Sequence, residues 1–313
     1  MALQARSRLH AQPRGRRIAL TTRDLALFRV LDRYRYLPAN FLHAFLGGHP
    51  TYHRQRLTDL FHEGWLRKPE AQWQTLNARY RPNAYELSLK AKAALSEAFA
   101  LGAFQVGAGA PYWHEQLVCL VMASFDLAAQ RQHIQLIDWR DVLAGAPPAV
   151  QQSSAPFSLP IAVPQLQGAK RLLRPDGLPF GLAGKRTLWF PGMEADRHTE
   201  PLHPTDLRSR SSSILLKLLQ YQEFVRDRLF EKHYGMRNVM VPFVTVNDTH
   251  LRNMLDLVLS VTEGRGFKWM LFKSLPQLAS HESSPEPQFD ILSTPWQRAG
   301  NSEISLLEEL RRA

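Results

Sequence analysis

Four residues in the second half of the chain have the types and spacing for metal-assisted phosphate chemistry. Asp176 follows Pro175 in a turn-forming Pro-Asp-Gly. Glu194 and Asp196 stand two apart in WFPGMEADRH, so a strand there directs both side chains to one face. Lys217 and Tyr221 lie one turn apart on the helix predicted next. Carboxylates converging from neighbouring strands offer hard oxygen ligands for Mg²⁺ or Mn²⁺ and leave positions for water and phosphate. A metal so held activates water, and a lysine beside it offsets charge on a scissile phosphate. Asp176, Glu194 and Asp196 are therefore candidate metal ligands, and with Lys217 candidate catalytic residues. Glu115, on an earlier predicted helix, and Tyr221 are placed behind them as supporting groups. The same carboxylates also suit a solvated strand end and an ordinary Asp-Gly turn; both readings stay open.

A second set of residues is basic. Residues 1–99 hold 17 Lys and Arg against 7 Asp and Glu, whereas residues 100–313 hold 22 against 21. A surface that meets a polyanion explains that asymmetry, because each neutralised phosphate releases counterions. The spacing predicts a helix from Thr22, a short helix from Pro38 with Phe41, Leu42 and Phe45 on one side, and a third over TYHRQRLTDLFHEG. Strands follow at 65–68 and 84–88, joined by a polar hairpin over 69–83, and a helix closes the unit. Three helices, a strand, a hairpin and a strand is the order of a winged helix, whose third helix lies in the major groove. Opposite the apolar stripe of Leu57, Leu60 and Phe61, that helix offers Arg54, Gln55, Thr58 and His62, with Thr51 at its start and Arg56 alongside. Arginine suits the acceptor edge of guanine and glutamine the edge of adenine. Arg79 and Arg81 on the hairpin, and Arg67 and Lys68 at its root, are placed for phosphate. Residues 1–17 read as a disordered basic arm.

The elements that must position the acidic set alternate. A helix over 112–132 and a strand in HIQLIDW precede an Ala-, Pro-, Gln- and Ser-rich loop insertion at 143–168. Strand-like stretches follow at 171–182 and 186–195, then a long helix over SSSILLKLLQYQEFVRDRLFEKHYG, a strand, a helix and a strand. Apolar strands flanked by helices predict a mixed sheet covered on both faces. A Pro-rich segment and a final helix, with Leu306, Leu307 and Leu310 available to pair two chains, make up 281–313.

The acidic set resembles the PD-(D/E)xK nuclease superfamily, in which a turn supplies Asp and the next strand Asp/Glu-x-Lys. Pro175-Asp176 matches the first part; Glu194-Ala195-Asp196 carries Asp where Lys is expected, and Lys217 is the candidate for a lysine migrated to the next helix. Residues 20–235 more narrowly resemble the replication-relaxation family of plasmid and mobile-element proteins, through the 20–90 module, PDG near 175, MEADRHTEP near 194, and Lys217 with Tyr221. The resemblance implies an α/β chain: a winged helix-turn-helix domain (18–105), then a restriction-endonuclease-like mixed α/β/α domain (110–280). It implies action on double-stranded DNA in plasmid replication, relaxation or transfer, the nuclease-like domain serving as scaffold or second DNA contact. Further expected partners are a second copy of the chain or other replication and mobilisation proteins. The alternatives are a Mg²⁺- or Mn²⁺-dependent DNA endonuclease or nickase, and a protein-interaction adaptor.

Composition narrows the classes further. A single cysteine, Cys119, excludes an internal disulfide framework, and its apolar helical setting predicts a buried thiol. No stretch reaches the apolar length of a membrane span. The basic N-terminus lacks the apolar core of a secretory signal, which makes cytoplasmic the expected location. No phosphate-cradling glycine loop, nucleophile elbow or dinucleotide fingerprint is present.

Overall fold

The computed structural model describes residues 7–13, 15, 17–74, 81–99, 111–166, 170–197, 200–203, 212–279 and 284–312. The chain divides into two compact units, Met1–Ala123 with Ser280–Pro287, and Ser124–Ala279 with Gln288–Ala313. Both mix helix and strand, and no helix among the described residues is long and apolar enough to cross a membrane.

In the first unit, α1 (Thr22–Tyr34) begins at a capping box. The Thr21 side chain accepts from the Asp24 amide, and Asp24 reaches back to the Thr21 amide. β1 (Leu37–Pro38) leads into α2 (Ala39–Leu46), and α3 (Pro50–His62) starts with proline at a position whose amide would be unpaired anyway. α3 ends before Gly64, whose φ of +78° is the left-handed stop glycine tolerates. β2 (Leu66–Arg67) and β3 (Ala84–Leu87) pair antiparallel, Leu66 opposite Leu87, and β3 also pairs β1, Leu37 opposite Tyr85. α4 (Leu89–Phe99) and the start of α5 (Tyr112–Arg131) follow. Leu27, Phe28, Leu31, Phe41, Leu57 and Leu60 fill the core. The stretch after β2 is more built than a polar hairpin: a 3₁₀ turn over Glu70–Trp73 buries Gln72, whose amide group bonds both the N–H and the C=O of Ala84. Residues 75–80, with Arg79, lie outside the described residues.

The second unit continues with β4 (Gln135–Ile137), α6 (Trp139–Gly145), α7 (Pro148–Gln151), β5 (Leu159–Ala162), β6 (Lys170–Leu173), β7 (Phe180–Ala183), β8 (Thr187–Phe190) and β9 (Glu194–Asp196). After them come α8 (Ile214–Arg226), α9 (Leu229–Tyr234), β10 (Val241–Thr245), α10 (Asp248–Val261), β11 (Met270–Ser274), β12 (Trp296–Arg298), β13 (Asn301–Ile304) and α11 (Leu306–Arg311). The main sheet has the order β13-β12-β11-β10-β9 and is mixed: β9, β10 and β11 run parallel, and β12 and β13 add antiparallel. β4, β7 and β8 form a second sheet, and β5 pairs with β6. β10 is buried along its whole length, as a strand covered on both faces must be.

Several expectations change. Over its described residues, 143–166, the Ala/Pro-rich stretch is no loose insertion: it carries α7 and β5 and buries Val150, Phe157, Leu159, Ile161 and Val163. The long helix breaks at Arg228, whose φ of +53° separates α8 from α9. The 186–195 stretch becomes two strands in different sheets. The segment after 288 supplies β12 and β13 to the main sheet, and Leu306, Leu307 and Leu310 are buried within the chain's own fold. Cys119 is buried, and burial pushes its thiol up to about 12.

Candidate functional site

The acidic site is assembled by a strand, a turn and a helix. In the parallel pairing of β9 with β10, Glu194 stands beside Phe243 and Asp196 beside Thr245, so both carboxylates share one face of the sheet. α8 packs on that face, with the Tyr221 ring 5.9 Å from that of Phe243. Ser213 caps α8 by accepting from the Leu216 amide, which fixes Lys217 and Tyr221 over the strand. Pro175–Gly177 closes against the sheet through the Gly177–Met193 bridge, with no room for a side chain at 192. A Cβ on Gly192 would sit 2.2 Å from Pro175 Cβ.

These placements bring Asp176, Glu194 and Lys217 together. Lys217 Nζ lies 2.8 Å from Glu194 Oε2, 3.2 Å from Asp176 Oδ2 and 2.9 Å from Glu200 Oε2. The Tyr221 hydroxyl donates to Glu194 Oε1 at 2.6 Å, and the Ala195 amide to Asp176 Oδ2 at 3.1 Å. Burial raises the Glu194 carboxyl to about 8, against the opposing pull of Lys217. Burial disfavours the Lys217 ammonium, yet Glu194, Asp176 and Glu200 outweigh it and hold the lysine well above its usual range. The solvated strand end is thereby excluded: Glu194 and Asp196 are 3 % and 5 % exposed.

Asp196 goes elsewhere. Its Oδ2 lies 2.5 Å from His250 Nε2, from the first turn of α10, and its Oδ1 accepts the Glu200 amide at 3.2 Å. Glu115 is committed within the first unit to Arg35, 2.9 Å away. Sequence reasoning missed Glu200 and His250. Glu200 lies within the acidic MEADRHTEP run, but nothing local to His250 signals its partner. The set does not fit a metal as it stands. An ammonium takes the place of the cation between Asp176 and Glu194, and Asp196 is turned to an imidazole. No group of three or more Asp, Glu, His or Cys among the described residues is arranged to hold a metal ion.

The basic site divides into exposed and structural members. Thr51, Arg54, Gln55 and Arg67 are exposed; Arg67 also lies 3.7 Å from Glu86. Arg56 is a correction: its guanidinium grips the buried Asp24, Nη2 to Oδ2 at 2.6 Å and Nε to Oδ1 at 2.9 Å, tying α3 to α1. Thr58 is half-buried and donates to the Arg54 carbonyl. His62 is 1 % exposed, its Nδ1 accepting the Gln12 amide at 3.0 Å. Lys68 Nζ donates to the Arg8 carbonyl and lies 4.0 Å from the centre of the Phe61 ring, and burial lowers it to about 8. Arg81 is half-buried, 5.7 Å over the Trp113 ring. Tyr52, not singled out by sequence, is 73 % exposed on the same helix.

Scans against protein-family models, curated proteins and solved structures find no match.

Proposed function

We propose that the first unit is a winged-helix module that docks on duplex DNA through α3, and that the second is a nuclease-like α/β scaffold offering a further DNA contact. One observation carries the reading. The first two turns of α3 present Thr51, Arg54 and Gln55 to solvent, while its other face, at Leu57, Leu60 and Phe61, is sealed in the core. Recognition helices read bases with their N-terminal residues, and these residue types suit purine edges. The strand order β1-β3-β2 around three helices supports the same module. The excess of positive charge in residues 1–99 supports a phosphate-facing surface. The motifs at 176, 194 and 217 favour replication, relaxation or transfer of a plasmid or other mobile element as the setting.

In the second unit, Lys217 neutralises the carboxylates a nuclease would lend to a metal, which favours a scaffold. The test is a gel-shift salt series on the full chain. Arg54→Ala is expected to weaken binding roughly tenfold and, if the contact is to phosphate, to lower the salt slope by about one. A wild-type chain that leaves duplexes unshifted in dilute buffer overturns the reading in favour of the adaptor. Supercoiled plasmid with Mg²⁺ or Mn²⁺ tests the second unit. Nicking by wild type that is lost in Asp176→Ala and Glu194→Ala replaces the scaffold with an enzyme.

A further inference from the structure

The basic arm expected to be disordered is folded over the described residues 7–13. Ser7 Oγ accepts the His10 amide at 3.1 Å, and the Ser7 amide donates to Gln12 Oε1 at 2.9 Å, closing a compact turn. We propose that this arm is a wall of the nucleic-acid-facing surface and that Arg8 is a positioning residue, fixing the hairpin beside α3. The proposal rests on the DNA-binding reading and adds to it the part that sets the geometry.

One guanidinium ties both limbs of the hairpin. Arg8 Nε donates to Asn83 Oδ1 at 2.9 Å, and its Nη2 donates to the Arg81 carbonyl at 2.5 Å, both on the returning limb. The same group lies 5.3 Å over the Trp73 ring on the outgoing limb. Lys68 returns the contact, donating to the Arg8 carbonyl at 2.9 Å from the hairpin root. Further along, the Ala19 carbonyl accepts Arg56 Nη2 at 3.0 Å and the Gln12 amide donates to His62. Contacts to α3 thus fall at Arg56, from Ala19, and at His62, from Gln12, and those to the hairpin limbs come from Arg8.

Two consequences follow. His62 shares a helical face with Thr51 and Gln55, yet the arm backbone bonds its ring and it is buried, so the readable part of α3 is its first two turns. The described limbs of the hairpin, at Trp73 and at Arg81 and Asn83, are tied to the same arm through Arg8. An arm that acted through charge alone would need none of these contacts. Lysine at position 8 keeps the charge but cannot form the planar fork.

The experiment compares full-length wild type, Arg8→Lys and Arg17→Ala on a short labelled duplex of mixed sequence across a salt series. Hydrogen exchange is read at residues 81–87 and in α1. Arg17 is exposed and serves as the charge control. Arg8→Lys is expected to keep the wild-type salt slope, bind roughly tenfold more weakly and lose amide protection at 81–87 with α1 unchanged. Arg17→Ala is expected to lower the slope by about one and leave exchange untouched. An Arg8→Lys chain that matches wild type in affinity and exchange overturns the proposal, as does loss of protection spread evenly through the unit. If wild type does not bind the duplex, the DNA reading falls, and the exchange comparison alone decides whether Arg8 pins the hairpin.

Discussion

Lys217 Nζ lies 2.8 Å from Glu194 Oε2, and the same ammonium serves Asp176 and Glu200. One buried cation therefore answers three carboxylates drawn from a turn, a strand and the loop after it. Removing one partner of a buried pair leaves an uncompensated charge, which costs more than the intact pair contributes. Lys217→Met is expected to destabilise the second unit by about 4 kcal/mol, read by urea unfolding above about pH 8, where Glu194 is ionised. Adding Glu194→Gln should recover part of that loss. A double variant no more stable than the single would show that Glu194 is not the residue Lys217 chiefly compensates.

The raised Glu194 carboxyl has a defined effect on pH dependence. Its folded value of about 8 lies above the ordinary 4.5, so between those limits the folded chain binds more protons than the unfolded one. Stability contributed by this group is therefore fully present below about 4.5 and is lost as pH rises through about 8. Melting temperature measured across that window should fall more steeply in wild type than in Glu194→Gln. Equal slopes would mean that Glu194 stays ionised throughout.

The acidic centre was legible because its residues lie in short motifs: a Pro-Asp-Gly turn, two acids at strand spacing, and a lysine one helical turn before a tyrosine. The partner of Asp196 was not, since His250 reaches it only through the parallel pairing of β9 with β10 and the helix that follows. The basic helix was legible in its period but not in its division of labour. Arg54 and Arg56 look alike in sequence, and only the capping of α1 by Asp24 makes one of them structural. Periodicity likewise missed β12 and β13, because in the short Trp-Gln-Arg and Asn-Ser-Glu-Ile segments only Trp296 is buried, which leaves no alternation to read.

That division of labour separates stability from binding. Asp24 is buried; burial alone would raise its carboxyl, but Arg56 and Thr21 outweigh it and hold it below the ordinary 3.8. Its stabilisation is present above that value and is lost as pH falls through the folded one. Arg56→Ala is expected to cost about 2 kcal/mol in the first unit and to flatten the acid limb of its unfolding curve. Arg54→Ala should leave the same melting curve unmoved. Thermal melts from pH 2 to 7 make the comparison, and equal losses in the two variants would refute the assignment of Arg56.

The placement of Asp176 depends on a residue with no side chain. Gly192 admits the Pro175–Gly177 turn so closely that a Cβ would lie 2.2 Å from Pro175 Cβ and 2.9 Å from the Gly177 carbonyl oxygen. The proline ring cannot rotate away, so a methyl group there must push the turn outward or distort the strand. Moving the turn carries Asp176 away from Lys217 and from the Ala195 amide it accepts. Gly192→Ala is expected to cost roughly 2 kcal/mol, as overpacking in a closed site does. It should also speed exchange of the Ala195 amide while the amides of β11 stay protected. A variant that melts like wild type with Ala195 still protected would place the slack in β8–β9 and leave Asp176 where it stands.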